Sequence, residues 1–220
     1  MTRKGSAADP VAELLAAIPV LAGRAATPKD RERFARYLAL LLEWNRVHDL
    51  TSHKQPREVV RGLFLDSLLF LPQLPPRPLR LLDIGSGAGI PGLPLHLLDP
   101  DIRVALLEAR RKRVSFLATV RRELRLDGVE VLEGRAEQVL AERPDLKGGF
   151  DAVTARGVTP STGFVLVCLD YVRVGGRVIV SGPPAPPKSG PLPHPSGRWV
   201  KGSFPIPELN RWFFVVERET

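Results

Sequence analysis

The stretch that most constrains this chain is Leu79-Arg80-Leu81-Leu82-Asp83-Ile84-Gly85-Ser86-Gly87-Ala88-Gly89-Ile90-Pro91-Gly92. Its first six residues read as a buried strand. The glycines directly behind let the backbone turn tightly and approach a ligand with no Cβ in between. A strand ending in such a turn, with a helix running on to Leu98, opens a nucleoside-binding α/β unit.

The following sequence repeats the alternation. Ile102 to Leu107 predicts a second strand and Arg111 to Leu124 its helix, and Val129 to Leu132, Ala152 to Ala155 and Arg177 to Val180 predict three more strands. The spacing leaves room for crossover helices, which makes the sheet mostly parallel and doubly wound. Arg198 to Phe204 and Arg211 to Glu217 suit an antiparallel hairpin at the sheet edge. Before Pro78 the spacing is helical instead. Phe34, Tyr37, Leu38, Leu41, Leu42 and Trp44 recur at three and four, predicting one amphipathic helix over Arg31 to Trp44, and a second is predicted over Arg57 to Leu71. The expected architecture is α/β and Rossmann-like, with a helical cap over residues 1–75 and a ligand-binding domain over 76–220. The proline-rich run Gly182 to Pro191 cannot form a regular helix or central strand and is expected to be an exposed loop.

Composition narrows the class. The formal net charge is +8 and the isoelectric point about 10.2, so nucleic acid is a candidate partner, with an ordinary solvated basic surface as the alternative. Cys168 is the only cysteine, which rules out an internal disulfide, and its apolar neighbours predict a core position. Val11 to Leu21 superficially resembles a signal segment, but Asp9 and Glu13 interrupt it. No stretch has the roughly 20 apolar residues of a membrane span, so a cytoplasmic, membrane-free protein is expected. The four histidines lack metal-like spacing, and no serine-nucleophile or phosphate-loop motif is present.

Residues 87 to 92 satisfy G-x-G-x-x-G, which keeps a dinucleotide in view. Gly85 precedes that match, however, and Asp83 at the strand end would repel a pyrophosphate while favouring the amino group or sulfonium of S-adenosylmethionine. The methyl donor is therefore preferred, held by Gly85, Gly87, Gly89 and Ile90. Glu108 closes the next strand about 25 residues on, where a carboxylate commonly binds ribose hydroxyls; the alternative is a strand-end carboxylate paired with Arg110 or Lys112. Gly134 to Glu137 follow the third strand, and Arg156 lies beyond the fourth, at the open end of the sheet.

Taken together, Trp44 to Ser52, Phe64-Leu65-Asp66-Ser67, Asp83 to Gly92, Lys112 to Leu117 and Thr154-Ala155-Arg156 resemble the GidB or RsmG family. These are bacterial methyltransferases of guanine N7 in 16S small-subunit ribosomal RNA. The resemblance implies donor contacts at Gly85, Ile90, Ala136, Glu137 and Arg156, with Glu108 at the second strand end. It places Asp66 and Ser67 toward the cleft and Lys112 and Arg113 near RNA phosphates. The family pattern is broken at Gly62 and Leu63, where a basic residue and a histidine are expected, and at Asp49 and Ser181, where asparagine and lysine are expected. Guanine N7 carries an in-plane lone pair, so no general base is nominated, and the expected partner of this monomer is ribosomal RNA or the small subunit. A methyltransferase of a small molecule or protein, or a non-catalytic RNA-binding factor retaining the donor pocket, are the alternatives.

Overall fold

The computed structural model describes residues 9–181, 192–203 and 210–219, so the proline-rich run at 182–191 lies outside the described residues. Helices α1 (Ala12–Ala22) and α2 (Pro28–His48) come first. A reciprocal capping box starts α2: Thr27 Oγ1 accepts the Asp30 amide at 3.2 Å, and the Asp30 carboxylate accepts the Thr27 amide at 2.7 Å. Arg24 clamps Asp30 at 2.7 and 2.8 Å and also donates to the Leu98 carbonyl, tying the cap to the next layer. The helix stops at Asp49, whose φ of 45° is a left-handed conformation that Asp and Asn both tolerate. That shared tolerance explains locally why Asp can stand where the family pattern has Asn.

The single helix predicted over Arg57 to Leu71 is instead broken into α3 (Pro56–Val59), a π-helical turn (Val60–Leu65) and α4 (Asp66–Leu68). At the widened turn the Gly62 carbonyl accepts Arg156 Nη2 at 2.7 Å. Such single-turn expansions concentrate at functional sites. Gly62 is also sterically specified, because a Cβ there would lie 2.4 Å from His53 Nε2. The His53 ring fills the space that a basic side chain at position 62 would need.

The sheet comprises β1 (Leu79–Ile84), β2 (Ile102–Glu108), β3 (Val129–Glu133), β4 (Phe150–Arg156), β5 (Val172–Ser181), β6 (Arg198–Ser203) and β7 (Asn210–Glu217). Their order is β3-β2-β1-β4-β5-β7-β6, with β1 to β5 parallel and β7 antiparallel to both neighbours. The doubly wound sheet and edge hairpin therefore match the sequence expectation. Helices α5 (Gly92–Leu98) and α6 (Arg111–Glu123) cover one face, and α7 (Ala136–Glu142) and α8 (Thr162–Tyr171) the other. Strand alternation sorts the core: Leu81, Val104, Leu106 and Ile179 point to the first face, Leu82, Leu107, Val153 and Val180 to the second. The cap joins the first-face core through Phe34, Tyr37 and Phe64, and Tyr37 stacks on Phe64 at 4.8 Å. Burying each such aromatic contributes about 1.5–3 kcal/mol. Cys168 sits in the second core, where burial pushes its thiol up to about 12. Among the described residues, no helix is long and apolar enough to cross a membrane.

Asp83 corrects the sequence reading of a strand-end carboxylate that meets a charged ligand. Along β1, Leu79, Leu81 and Asp83 share the face on which α5 packs, and Asp83 is 0% exposed. Its Oδ2 accepts the Gly92 amide at 3.0 Å, the first residue of α5, and its Oδ1 accepts the Thr154 hydroxyl of β4 at 3.1 Å. One carboxylate thus pins β1, β4 and the N-terminus of α5 together. Burial raises its pKa to about 7, against the lowering effect of the Gly92 and Thr154 bonds.

An Asp83→Asn variant keeps both contacts, with its oxygen toward Gly92 and its amide toward the Thr154 oxygen. Below pH ~4 the acid is protonated in both folded and unfolded chains, so the two proteins should have similar stability. As pH rises from ~4 to about 7 the folded wild type holds a proton that the unfolded chain releases, or must bury a charge, and it loses stability relative to the variant. Buried His96, whose pKa burial lowers, contributes equally to both and cancels. Denaturant unfolding from pH 4.5 to 8 should show the variant gaining on the wild type up to pH ~7 and then levelling off; parallel profiles would refute a buried titrating Asp83.

Candidate active site

The strand order reverses between β1 and β4, and open α/β sheets bind ligands in the crevice outside the strand ends at that point. Gly85 follows β1 there and Gly157 follows β4, with φ values of 71° and 72°. A Cβ built on either would meet nothing within 4 Å. These two left-handed glycines present bare backbone on adjacent strand ends.

The three glycines of the loop do different work. Gly85 is exposed and its amide donates to Leu107 at 2.8 Å, which fixes the turn while leaving its outer side open. The Gly87 amide donates to Glu108 Oε2 at 2.9 Å, and the only side chain near a Cβ there is Arg113. Gly89, at φ 90°, is packed: a Cβ would stand 2.3 Å from Leu93 Cδ1. Ile90 is likewise buried in the first-face core. Tyr37 of the cap donates its hydroxyl to the Ala88 carbonyl at 2.5 Å, so α2 holds the loop from behind.

Glu108, 4% exposed, is doubly tied, its second oxygen accepting the Arg110 amide at 2.9 Å. The guanidinium that approaches it belongs to Arg113, at 3.7 Å, not to Arg110 or Lys112. Arg113 is thereby drawn over the glycine loop, whereas Lys112 is exposed on α6. Ala136 and Glu137 form the first turn of α7 behind β3. Ala136 is buried with its carbonyl bonded to the Tyr171 hydroxyl at 2.6 Å, and Glu137 is exposed.

Arg156, expected beside the donor, bonds to the cap. Its Nε donates to Asp66 Oδ2 at 2.7 Å and its Nη2 to Gly62, so both bonds run into the cap. Asp66 Oδ1 accepts Nε of Arg211, from the start of β7, at 2.5 Å. One buried carboxylate therefore gathers guanidinium groups from β4 and β7. Ser67 does not face a cleft: it is 0% exposed and its hydroxyl is spent on the Leu63 carbonyl at 2.6 Å. Ser181, at the end of β5, is buried with no partner for its Oγ among the described residues. Sequence reasoning missed Arg211 and the linking roles of Tyr37 and Thr154. Tyr37 had a signal in its hydroxyl within an otherwise apolar stripe, while Arg211 had none.

Stripping Asp66 of its Arg156 partner leaves a buried carboxylate with one cation. Arg156→Ala should therefore lower stability by about 2–3 kcal/mol, and Asp66→Asn in the same background should recover part of that loss. Denaturant melts of the single and double variants test this, and additive effects would dissolve the network.

The switch point thus brings together open backbone at Gly85 and Gly157 and a carboxylate at the second strand end, with Tyr37 of α2 behind the loop. The family model for GidB, rRNA small subunit methyltransferase G, matches residues 30–181, which run from α2 to the end of β5. The chain is 38% identical over 160 residues to ribosomal RNA small subunit methyltransferase G of Streptococcus equi subsp. zooepidemicus strain H70, covering 72% of this chain and 67% of that protein. It is 36% identical over 159 residues to the protein of the same name from Streptococcus pyogenes serotype M49, covering 71% and 67%. Among solved structures, a putative O-methyltransferase from Klebsiella pneumoniae superposes with TM-score 0.54 at 18% identity, over 84% of this chain and 90% of that one. A SAM-dependent methyltransferase from Aquifex aeolicus gives TM-score 0.52 at 14% identity, over 71% and 91%. Those two likenesses carry the fold alone; with the family match over residues 30–181 and relatives 36–38% identical, the chain belongs to the GidB family of small-subunit rRNA methyltransferases.

Proposed function

We propose that this protein transfers the methyl group of S-adenosylmethionine to N7 of a guanine in 16S ribosomal RNA of the small subunit. The observation that carries this reading is that the family match spans both the cap and the glycine crevice, the two parts that would meet substrate and donor. The chain acts in this reading as a cytoplasmic monomer, with residues 1–75 as cap and 76–220 as donor-binding domain.

S-adenosylmethionine supplies an electrophilic methyl group on a sulfonium when bound. Gly85 and Gly157 would admit it close to the backbone, and Glu108 would accept its ribose hydroxyls, giving up or sharing the Gly87 amide bond. Ala136 and Glu137 would border the adenine from the first turn of α7, and Arg113, already over the loop, would close the edge. Arg156 acts through Asp66, fixing the cap relative to the strand ends. Guanine N7 needs no deprotonation before attack, so these residues work by alignment and by excluding water, effects that can lower a barrier by several kcal/mol. That accounts for a site in which the buried acid Asp83 is structural.

Two measurements test this. With methyl-labelled donor and small-subunit RNA, the wild type should incorporate label that nuclease digestion and mass spectrometry locate on guanine N7; label on a small molecule or protein alone would overturn the substrate. In Gly85→Ala the new Cβ enters open space, so calorimetry should show donor affinity reduced tenfold or more, with a stability loss of only about 1 kcal/mol from the positive φ. In Gly89→Ala the collision with Leu93 should cost more stability than that. Unchanged donor affinity in folded Gly85→Ala would remove the loop from the site.

A further inference from the structure

On the outer side of the helical layer, α2 and the C-terminal end of α6 border a groove of about 600 Å³ lined by Lys29, Glu32, Arg33, Arg36, Glu123 and Arg125. Four cations face two carboxylates. Arg36 is committed to Glu123 at 2.7 Å, but the side chains of Lys29, Arg33 and Arg125 make no ion pair or hydrogen bond among the described residues. Lys29 and Arg125 are exposed and Arg33 is half-buried. The donor crevice uses none of them.

Arg125 carries an independent signal. Its φ is 52°, and it sits where α6 ends: the Leu126 amide donates to the Arg121 carbonyl at 3.0 Å and the Arg125 amide to Arg122 at 3.2 Å. In that helix-ending arrangement the left-handed residue is ordinarily glycine, which has no Cβ to strain. An arginine tolerated at this conformation, with its charge unpaired at a groove rim, points from strain to function. The groove is also continuous with the crevice side through α6. Lys112 lies 13 residues before Arg125, roughly 20 Å along the helix, and Ser115 and Ala118 are exposed between them with no carboxylate before Glu123. Lys112, exposed Arg121 and Arg122, and Arg125 thus run along α6 and past its end, a spacing of cations that matches a polyanion laid along it.

We infer that this groove is a second docking site for RNA, in which Lys29, Arg33 and Arg125 bind backbone phosphates of the strand or helix that the crevice engages near Lys112. Contacts of this kind fix position and affinity without reading sequence. The inference rests on the RNA reading of the crevice.

The test uses the full chain, protein-free small-subunit RNA and intact small subunits, comparing wild type with Lys29→Gln/Arg33→Gln/Arg125→Gly and with Arg125→Gly alone. The triple variant should bind naked RNA tenfold or more weakly at 150 mM salt and flatten the log–log salt dependence by about two to three, one unit or slightly less per lost contact. Donor affinity and kcat at saturating RNA should be unchanged. Arg125→Gly should weaken RNA binding by about one such contact while raising Tm, because glycine relieves the left-handed strain. If the wild type labels RNA and the triple variant shows the same KM and salt slope, the groove is refuted and the methyl-transfer reading stands. If the variant is impaired on intact subunits but not on naked RNA, the groove meets ribosomal protein and the RNA assignment falls. If the wild type neither binds nor labels RNA, the reading of the crevice fails and the groove with it.

Discussion

The structure depends on one buried carboxylate at a sharp turn. β1 must end, reverse through three positive-φ glycines and deliver the chain into α5, and nothing in a glycine-rich segment holds such a path by itself. Asp83 does so by accepting the amide that begins α5 and the hydroxyl of Thr154 on the neighbouring strand. Tyr37 fastens the same loop from the cap side. The open backbone at Gly85, in an intrinsically flexible glycine segment, is therefore fixed in position.

A second carboxylate performs the corresponding task for the cap. Asp66 lies on a helix widened by a π turn, and its two arginines arrive from the ends of β4 and β7. The cap is thus registered against the strand ends both by the Tyr37 hydroxyl on the Ala88 carbonyl and by charge. A buried carboxylate paired with partly exposed arginines gains little over well-packed apolar groups, so geometric specification is the better account of the network. The family match ends at residue 181, so Arg211 extends the network into the edge hairpin beyond it.

The sheet and its glycine loop were legible because their signals are local: alternating apolar runs, glycine at a strand end, and charge at the following helix. The roles of the acids were less so. The strand-end position of Asp83 suggests a ligand contact, although alternation with Leu79 and Leu81 puts it on the face that α5 covers. The hydrogen-bond partners of Arg156 are 90 and 94 residues away in sequence, and Arg211 is 145 from Asp66. No periodicity encodes such contacts. The predicted helix over Arg57 to Leu71 failed for the same reason, since its π turn is stabilised by a guanidinium from another element.

The central claim is that the crevice between the ends of β1 and β4 is where this chain binds its methyl donor. A crystal structure of the wild type with S-adenosylhomocysteine tests it most directly. The account predicts ligand density in van der Waals contact with Gly85 and Gly157 and a Glu108 carboxylate turned to the ribose hydroxyls. Ligand bound elsewhere, with the crevice closed and Glu108 still on the Gly87 amide, would contradict it.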